Sequence, residues 1–287
     1  MPEIKPLTPN PLQKYFRQPK IYIQLPSQGK YYPVGSIDIP ENGQFPVYPM
    51  TARDEIMMKT PDALVNGETT VSVIQSCMPN IKNAWDVPNI DLDVILVAIR
   101  IASYGETMEV GINVPVTKEE RTYDLNLVQM MDTMTSVQYD NSVIIDDLTV
   151  HIKPLTYRDF TQTSMKTYEE QKIFNILNND DISTEEKLAK FNTSFRKLTD
   201  LTIVTLEKSV QRISGDGFEV TDPMHIREFV DNADKSVFKK IIDHIEEQKD
   251  KFSIKPIKIT ATPEEVELGV PETYEVPFSF DPSVFFA

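Results

Sequence analysis

Apolar residues recur with helical spacing over several long parts of the chain. Across residues 92–104 they cover nearly every face, which is typical of a helix buried between other elements, and Gly105 follows as a stop. Across residues 183–213 they recur at intervals of three and four, so one stripe is expected to face a partner helix, with Gly215 ending the helix. Further helices are predicted over residues 69–78, 128–134, 157–178, 223–230 and 235–249.

Strict alternation of apolar and polar residues predicts β-strands elsewhere. The clearest case is the stretch from residue 107 to 127, where two alternating runs flank a polar turn and indicate a β-hairpin. Residues 142–153 predict two strands around Asp146 and Asp147. Shorter strands are predicted over residues 20–25, 254–259 and 272–280. The combined pattern predicts an α+β fold with a mainly helical core, inserted β-hairpins and an extended N-terminal arm.

The arm is set apart by its prolines, of which five fall within the first 19 residues. We expect them to exclude a helix and to favour an extended chain. The arm also carries apolar side chains that must be buried somewhere, either by folding back on its own domain or by docking on a neighbouring subunit. These are Leu12, Tyr15, Phe16, Tyr22, Tyr31 and Tyr32.

Changes in these patterns divide the chain into four predicted segments. They are the arm (1–45), a helical region with a β-hairpin insertion (46–154), a helical bundle (155–252), and a C-terminal β-hairpin with an aromatic tail (253–287).

A short helix over residues 52–59 opens the second segment. Thr51 and Asp54 have the spacing of a capping box, in which each side chain satisfies a backbone N–H of the other residue. A second helical turn is expected from Thr60, ended by a left-handed Gly67. Three apolar side chains here are predicted to lie in the core: Met57, Met58 and Leu64.

The chain ends in the sequence FDPSVFFA, which is strongly apolar. Burying each phenylalanine ring is worth roughly 1.5–3 kcal/mol, so the rings need a pocket. That pocket lies either within the same domain or on an adjacent protein.

Composition and charge argue against some classes of partner. The 29 basic and 44 acidic residues leave a formal charge of −15, which argues against binding to a nucleic-acid backbone. No apolar run approaches the roughly 20 residues that a membrane-spanning helix needs. The N-terminus lacks an apolar signal core, so we expect the protein to mature in a cytoplasm. The single cysteine, Cys77, cannot form an internal disulfide and is interpreted as a core residue.

Motifs for catalysis are missing from the sequence. It contains neither GxSxG nor GxxxxGK[ST], and its three histidines are widely separated along the chain. Residues 231–234 superficially suggest a calcium loop, but Ala233 replaces a ligand, and a helix-capping turn is the preferred interpretation. The Gly215–Gly217 segment is interpreted as a tight turn. We therefore predict a protein without enzymatic activity and without a cofactor.

Four segments carry a resemblance to a known family. They are MTARDEIMMKTPDALVNGETTVSVIQSCMPN (50–80), LDVILVAIRIASYGETMEV (92–110), HIKPLTYRDF (151–160) and VPFSFDPSVFF (276–286). Together and in this order they resemble the baseplate hub family of T-even-like bacteriophages. The resemblance implies a structural component of the central hub beneath a contractile tail. A chaperone of hub assembly that leaves before the virion is complete is the main alternative, and a tail-associated cell-wall hydrolase is a third.

The resemblance also bears on metal binding. Many members of the family that this chain resembles carry a CPxC motif that looks like half of a zinc ribbon, whereas the corresponding residues here look like Val114, Pro115, Val116 and Thr117. Valine and threonine supply no thiolate, so the ribbon is expected to be degenerate and to hold no zinc. Val114 and Val116 are expected to pack the hairpin instead.

The implied partners are other hub or tail proteins, with a homo-oligomer within the baseplate left open, and with neither nucleic acid nor membrane insertion. The implied location is the tail baseplate of the virion, with assembly in the host cytoplasm. Seven aromatic residues are the candidate partner contacts: Tyr15, Phe16, Tyr31, Tyr32, Phe280, Phe285 and Phe286.

Overall fold

Helices and short antiparallel sheets alternate along the chain, which confirms the predicted α+β class. The computed structural model describes residues 10–59, 67–176, 183–278 and 285–286. Its α-helices are α1 (Ala52–Met58), α2 (Glu68–Cys77), α3 (Asn89–Tyr104), α4 (Leu127–Thr135), α5 (Tyr157–Ile176), α6 (Thr184–Ser209), α7 (Pro223–Asn232), α8 (Lys235–Phe252) and α9 (Pro263–Glu267).

In the described part of the chain the strands form four separate antiparallel sheets. β1 (Ile21–Ile23) pairs with β2 (Phe45–Val47), and the predicted hairpin is present as β3 (Thr107–Asn113) and β4 (Glu120–Asn126). The largest sheet has the order β5 (Ser142–Ile145), β6 (Leu148–Ile152), β7 (Val210–Gly215) and β8 (Phe218–Val220). Near the C-terminus β9 (Ile257–Thr260) pairs with β10 (Thr273–Val276), and α9 lies in the connection between them.

The first hydrophobic core is built around α3. Residues on all sides of this helix are buried, including Val94, Ile95 and Ile99, because α2, α4, α5 and the β1–β2 sheet contact it from different directions. The same core includes Ile259 of the C-terminal hairpin. The prediction of a helix buried between other elements is confirmed.

The second core lies beneath the four-stranded sheet. Ile145, Val150 and Ile213 of the sheet join Leu206 of α6 and Ile241 of α8 in one buried cluster. The division of the chain into four domains stays a prediction.

The predicted end of the longest helix was wrong. The helix expected to run to Ile213 ends at Ser209, and residues 210–215 form β7 instead. In β7, Val210 and Ile213 pair with Ile152 and Val150 of β6. Both are β-branched and suit a pleated, half-buried surface, so pairing with the sheet overrides continuation of the helix.

The predicted cap of α1 is confirmed. The Asp54 N–H donates to Thr51 Oγ1 at 3.2 Å, and the Thr51 N–H donates to Asp54 Oδ2 at 2.8 Å. Met58 is buried and Met57 is half-buried. Gly67 has the expected left-handed backbone, with φ of +79°. The second helical turn and Leu64 lie outside the described residues.

The arm contains one element that its prolines were expected to exclude. Residues Pro11–Tyr15 form a short 3-10 helix, capped by the Asn10 side chain, which accepts the Leu12 N–H at 3.0 Å. Pro11 occupies the first helical position, where the missing N–H has no helical partner to lose. The expectation that the prolines exclude a helix was therefore wrong at Pro11, because the first position of a helix tolerates proline best.

The hairpin turn between β3 and β4 corrects another expectation. Val114 is buried, as predicted, but Val116 is 66% exposed and adopts a left-handed backbone with φ of +70°. The turn is closed by the Lys118 N–H, which donates to the Val114 carbonyl at 2.9 Å. Val116 therefore lies mostly in solvent instead of being packed in the hairpin, and it has a backbone conformation that β-branched residues disfavour.

Candidate interaction surface

Arg17 joins the arm to the body of the chain. Its Nη1 donates to the Pro49 carbonyl at 2.5 Å, and its Nη2 donates to the Ser76 carbonyl at 2.6 Å and to Ser76 Oγ at 2.9 Å. Three residues later the Lys20 N–H donates to the Val47 carbonyl at 2.9 Å, where the β1–β2 pair begins. The planar guanidinium thus fixes the arm against the loop before α1 and the end of α2.

A buried carboxylate supports this attachment. Asp54 Oδ2 accepts hydrogen bonds from Thr51 Oγ1 at 2.7 Å and from Ser76 Oγ at 2.9 Å, and it lies 3.6 Å from Arg17 Nη1. The side chain of Asp54 is 7% exposed and that of Arg17 is 27% exposed. Asp54 therefore both caps α1 and acts as the counter-ion of Arg17 in the arm.

Beneath Arg17 lies the only cysteine. Cys77 is buried in the first core, as predicted, and burial raises the pKa of its thiol to about 12. A thiol with so high a pKa is neutral under ordinary conditions, which suits a packing role.

Before Arg17 the arm exposes apolar surface. Tyr15 is 74% exposed, and Leu12 and Phe16 are each more than half exposed. The Lys14 ammonium lies 4.9 Å from the centre of the Tyr15 ring. From Arg17 onward the arm is attached to its own chain, although Tyr22 in β1 is still 57% exposed, whereas Leu12, Tyr15 and Phe16 keep their side chains in solvent. Their contact with a neighbouring protein stays a prediction.

Tyr32 belongs to a buried hydrogen-bond group. Its hydroxyl donates to Asp91 Oδ2 at 3.0 Å, while the Ser27 N–H donates to Asp91 Oδ1 at 2.7 Å and Ser27 Oγ donates to Oδ2 at 2.5 Å. Burial raises the pKa of Asp91 to about 6, although the hydrogen bonds oppose that rise. Burial and the neighbouring Asp91 together raise the pKa of Tyr32 well above its ordinary value. Tyr32 therefore fixes the turn after β1 to the first turn of α3.

Tyr31 bridges towards the second core. Its ring packs edge-on against Tyr139 at 5.6 Å between centroids, and Tyr139 lies 6.0 Å from the ring of Phe252 at the end of α8. Tyr31 also has a left-handed backbone, with φ of +69°. Tyr31 and Tyr32 are both half-buried against their own chain, and their role as partner contacts stays a prediction.

Phe285 and Phe286 lie within the first core. Each ring is buried, and the two pack edge-to-face at 5.3 Å. The Arg100 guanidinium lies 5.9 Å from the Phe285 ring, and the Tyr104 hydroxyl donates to the Phe286 carbonyl at 3.4 Å. Of the two alternatives for the aromatic end, the structure shows burial within the chain for these two rings. Phe280 lies outside the described residues.

Structural partners are present for three titratable side chains, Asp234, His151 and His244. Asp234 Oδ1 accepts the N–H groups of Ser236 at 2.7 Å and Val237 at 3.2 Å, which confirms the predicted capping turn. His151 contacts Ser214 Oγ at 3.4 Å, and His244 contacts the Asp140 carbonyl at 3.0 Å. Within residues 10–59, 67–176, 183–278 and 285–286, no three His, Cys, Asp or Glu side chains cluster so as to hold a metal ion.

Sequence reasoning missed the residues that organise this surface. Arg17 and Asp91 have no motif around them, because their partners come from distant parts of the chain. A faint signal existed for Asp91, a carboxylate at the start of the most apolar helix, since such a group needs hydrogen-bond donors from elsewhere.

Together these features define a class of protein: an α+β protein with two packed cores and an anchored, apolar arm open to solvent. The chain belongs to the family described as T4 bacteriophage base plate protein, whose model matches residues 18–270. No curated protein and no solved structure matches it. Family membership implies a structural protein of the phage tail baseplate, in contact with other tail proteins. The match begins directly after Arg17, so it does not itself bear on the exposed arm. No helix in the described part of the chain is long and apolar enough to cross a membrane.

Proposed function

We propose that the protein is a non-enzymatic structural subunit of the central baseplate hub, and that its N-terminal arm docks on a neighbouring tail protein. The observation that carries the proposal is the exposed apolar group Leu12, Tyr15 and Phe16, held next to the partly buried attachment at Arg17.

Two physical arguments support a docking role for the arm. Removing an aromatic ring from water stabilises a complex by roughly 1.5–3 kcal/mol, and adjacent exposed rings mark an interaction site more strongly than scattered ones. An anchored segment also loses less conformational entropy on binding than a free one. Because Arg17 already fixes the arm at its base, the arm loses less conformational entropy when it binds a partner.

Mass spectrometry of purified virions tests the structural role. A hub subunit is expected at a fixed copy number relative to the other baseplate proteins. A protein abundant in infected cells but missing from virions would instead be an assembly chaperone. Turnover of peptidoglycan by the purified protein would contradict the proposed lack of enzymatic activity.

A double variant in the phage, Tyr15→Ser with Phe16→Ser, tests the docking arm. We expect the variant protein to fold and accumulate normally, because both side chains are exposed, but to be depleted from assembled tails. Met224→Ser on α7 is the matched control, since Met224 is also strongly exposed but lies outside the arm. Equal incorporation of the double variant and the control would contradict docking through the arm.

A further inference from the structure

A cleft lies between α5, α6 and α8, and none of the described residues that line it belongs to the arm. Its volume is about 560 Å³, and its lining includes Asn89 and Ile90 at the start of α3 and residues 153–155. It is open to solvent, and Phe160 stands at its edge with 43% of its surface exposed. Nothing in the proposed docking of the arm uses this cleft.

Its two long walls are helix faces. Along a helix of 1.5 Å rise per residue, each lining row extends over roughly 16 Å, or about three turns. The lining positions are 160, 163, 164, 167, 168 and 171 on α5, and 198, 201, 202, 205, 206 and 209 on α6. A cleft of this length, lined along two helices, suits one face of another helix better than it suits a compact ligand.

The α6 wall is less polar than its composition suggests. Thr202 Oγ1 donates to the Leu198 carbonyl at 3.0 Å, Thr205 Oγ1 to the Leu201 carbonyl at 2.7 Å, and Ser209 Oγ to the Thr205 carbonyl at 3.0 Å. Because these hydroxyl donors are used within α6, the wall offers its neighbours mainly methyl groups and leucine side chains.

The charged residues of the cleft favour a partner with a negatively charged group. Lys153 and Lys249 line the cleft, and the described residues of its lining include no Asp or Glu, although the chain as a whole has a net charge of −15. Gln248 also lines the cleft and is 1% exposed. Its Oε1 accepts the Asp140 N–H at 2.9 Å, but its Nε2 has no partner among the residues that the structure describes. A buried amide donor without an acceptor is costly, so an incoming acceptor there would be stabilising.

We propose that this cleft binds an amphipathic helix of a neighbouring tail protein, whose apolar side chains recur at i, i+3, i+4 and i+7 and whose margin carries a carboxylate. The apolar face packs into the cleft, against α5 and α6 together. The carboxylate pairs with Lys249 or Lys153 and accepts a hydrogen bond from Gln248 Nε2. The identity of the source as a tail protein rests on the proposed function, whereas the chemistry of the cleft does not.

Site-specific photo-crosslinking in infected cells tests this proposal. A benzophenone amino acid replaces Phe160 at the edge of the cleft, and the crosslinked peptide is sequenced by mass spectrometry. The expected product joins position 160 to a tail-protein segment with that apolar spacing and an adjacent Asp or Glu. The same replacement at Phe218, which is also half exposed but does not line the cleft, is the control for non-specific capture.

Charge reversal makes the test quantitative. Lys249→Glu is expected to reduce the crosslink yield about tenfold, since it turns an attractive pair into a repulsive one. Lys239→Glu on the same helix, outside the cleft, is expected to leave the yield unchanged. Replacing the acidic residue of the captured helix by lysine is expected to restore crosslinking to the Lys249→Glu protein.

Several results would overturn the proposal. They are a yield no higher than that at position 218, a captured segment without helical apolar spacing, capture of a second copy of this chain, or equal effects of the two lysine reversals. Loss of yield in the presence of a fatty acid such as dodecanoate, with no peptide product in its absence, would indicate a small amphiphile. Virion mass spectrometry is independent of these outcomes, so failure of the cleft and failure of the hub assignment are distinguishable.

Discussion

Ser27 donates two hydrogen bonds to Asp91, one from its backbone N–H at 2.7 Å and one from its hydroxyl at 2.5 Å. The two residues lie far apart in sequence, and both are buried. Together with Tyr32 they connect the turn after β1 to the first turn of α3. The arm is thereby attached at two places, to Asp54 through Arg17 and to Asp91 through this turn.

This arrangement predicts a specific pH dependence. Burial raises the pKa of Asp91 from 3.8 to about 6 in the folded protein. Between these values the folded state binds more protons than the unfolded state, so the contribution of Asp91 to the free energy of unfolding falls as the pH rises. At 1.36 kcal/mol per pKa unit, the loss between pH 4 and 7 is up to about 3 kcal/mol.

Urea unfolding of the wild type and of Asp91→Asn at pH 4 and at pH 7 measures this contribution. The comparison is needed because burial also raises the pKa of Asp93 to about 6, and this residue affects both proteins alike. We expect the stability advantage of the wild type to shrink as the pH rises. The exposed variant Asp243→Asn is the control. A constant or growing advantage would contradict the raised pKa.

Arg17→Ala is predicted to release the arm. It removes donors to Pro49 and Ser76 and leaves the Asp54 carboxylate without its counter-ion. Each lost hydrogen bond to a buried acceptor costs about 1–3 kcal/mol. We expect this loss to destabilise mainly the arm and to leave the core intact. Hydrogen exchange is expected to accelerate at Lys20, whose N–H begins the β1–β2 pair, and to stay slow in α3. Uniform acceleration across both regions would show that Arg17 supports the whole core instead.

Val116→Asn is predicted to stabilise the protein. Val116 is exposed and has a φ of +70°, a conformation that costs an ordinary L-residue roughly 1–2 kcal/mol and that asparagine tolerates better. We expect a gain of about 1 kcal/mol in the free energy of unfolding. Val114→Asn, two residues earlier in the same hairpin, is the contrasting variant, because it places a polar group in a buried position and is expected to destabilise. A loss of stability in Val116→Asn would show that its backbone is not strained.

Local patterns were sufficient to predict most elements of this fold. The all-round apolar character of residues 92–104 is a property of the helix itself, and so is the alternation in β3 and β4. The end of α6 was not predictable in this way, because Val210 and Ile213 leave the helix to pair with β6. Strand β2 has only three residues, and its signal depends on pairing with β1.

The interaction surface was likewise only partly predictable from local sequence. Its exposed aromatic residues, such as Tyr15 and Phe16, could be proposed from composition, because an arm rich in proline cannot bury them by itself. Its attachment could not, since Arg17 reaches Pro49 and Ser76, which lie 32 and 59 positions away. The cleft between α5, α6 and α8 likewise depends on how three helices meet.

Phe286→Ala tests whether the aromatic end belongs to the core. Phe286 is 1% exposed and packs against Phe285 in the first core, and truncation of a buried phenylalanine costs about 3–5 kcal/mol. Tyr15→Ala is the matched control, because Tyr15 is the most exposed aromatic residue of the arm and its removal is expected to change stability by less than about 0.5 kcal/mol. Thermal unfolding of the purified proteins provides the measurement. A Phe286→Ala protein as stable as the Tyr15→Ala protein would mean that the terminal rings contribute little to the fold in solution and are free to dock on a neighbour.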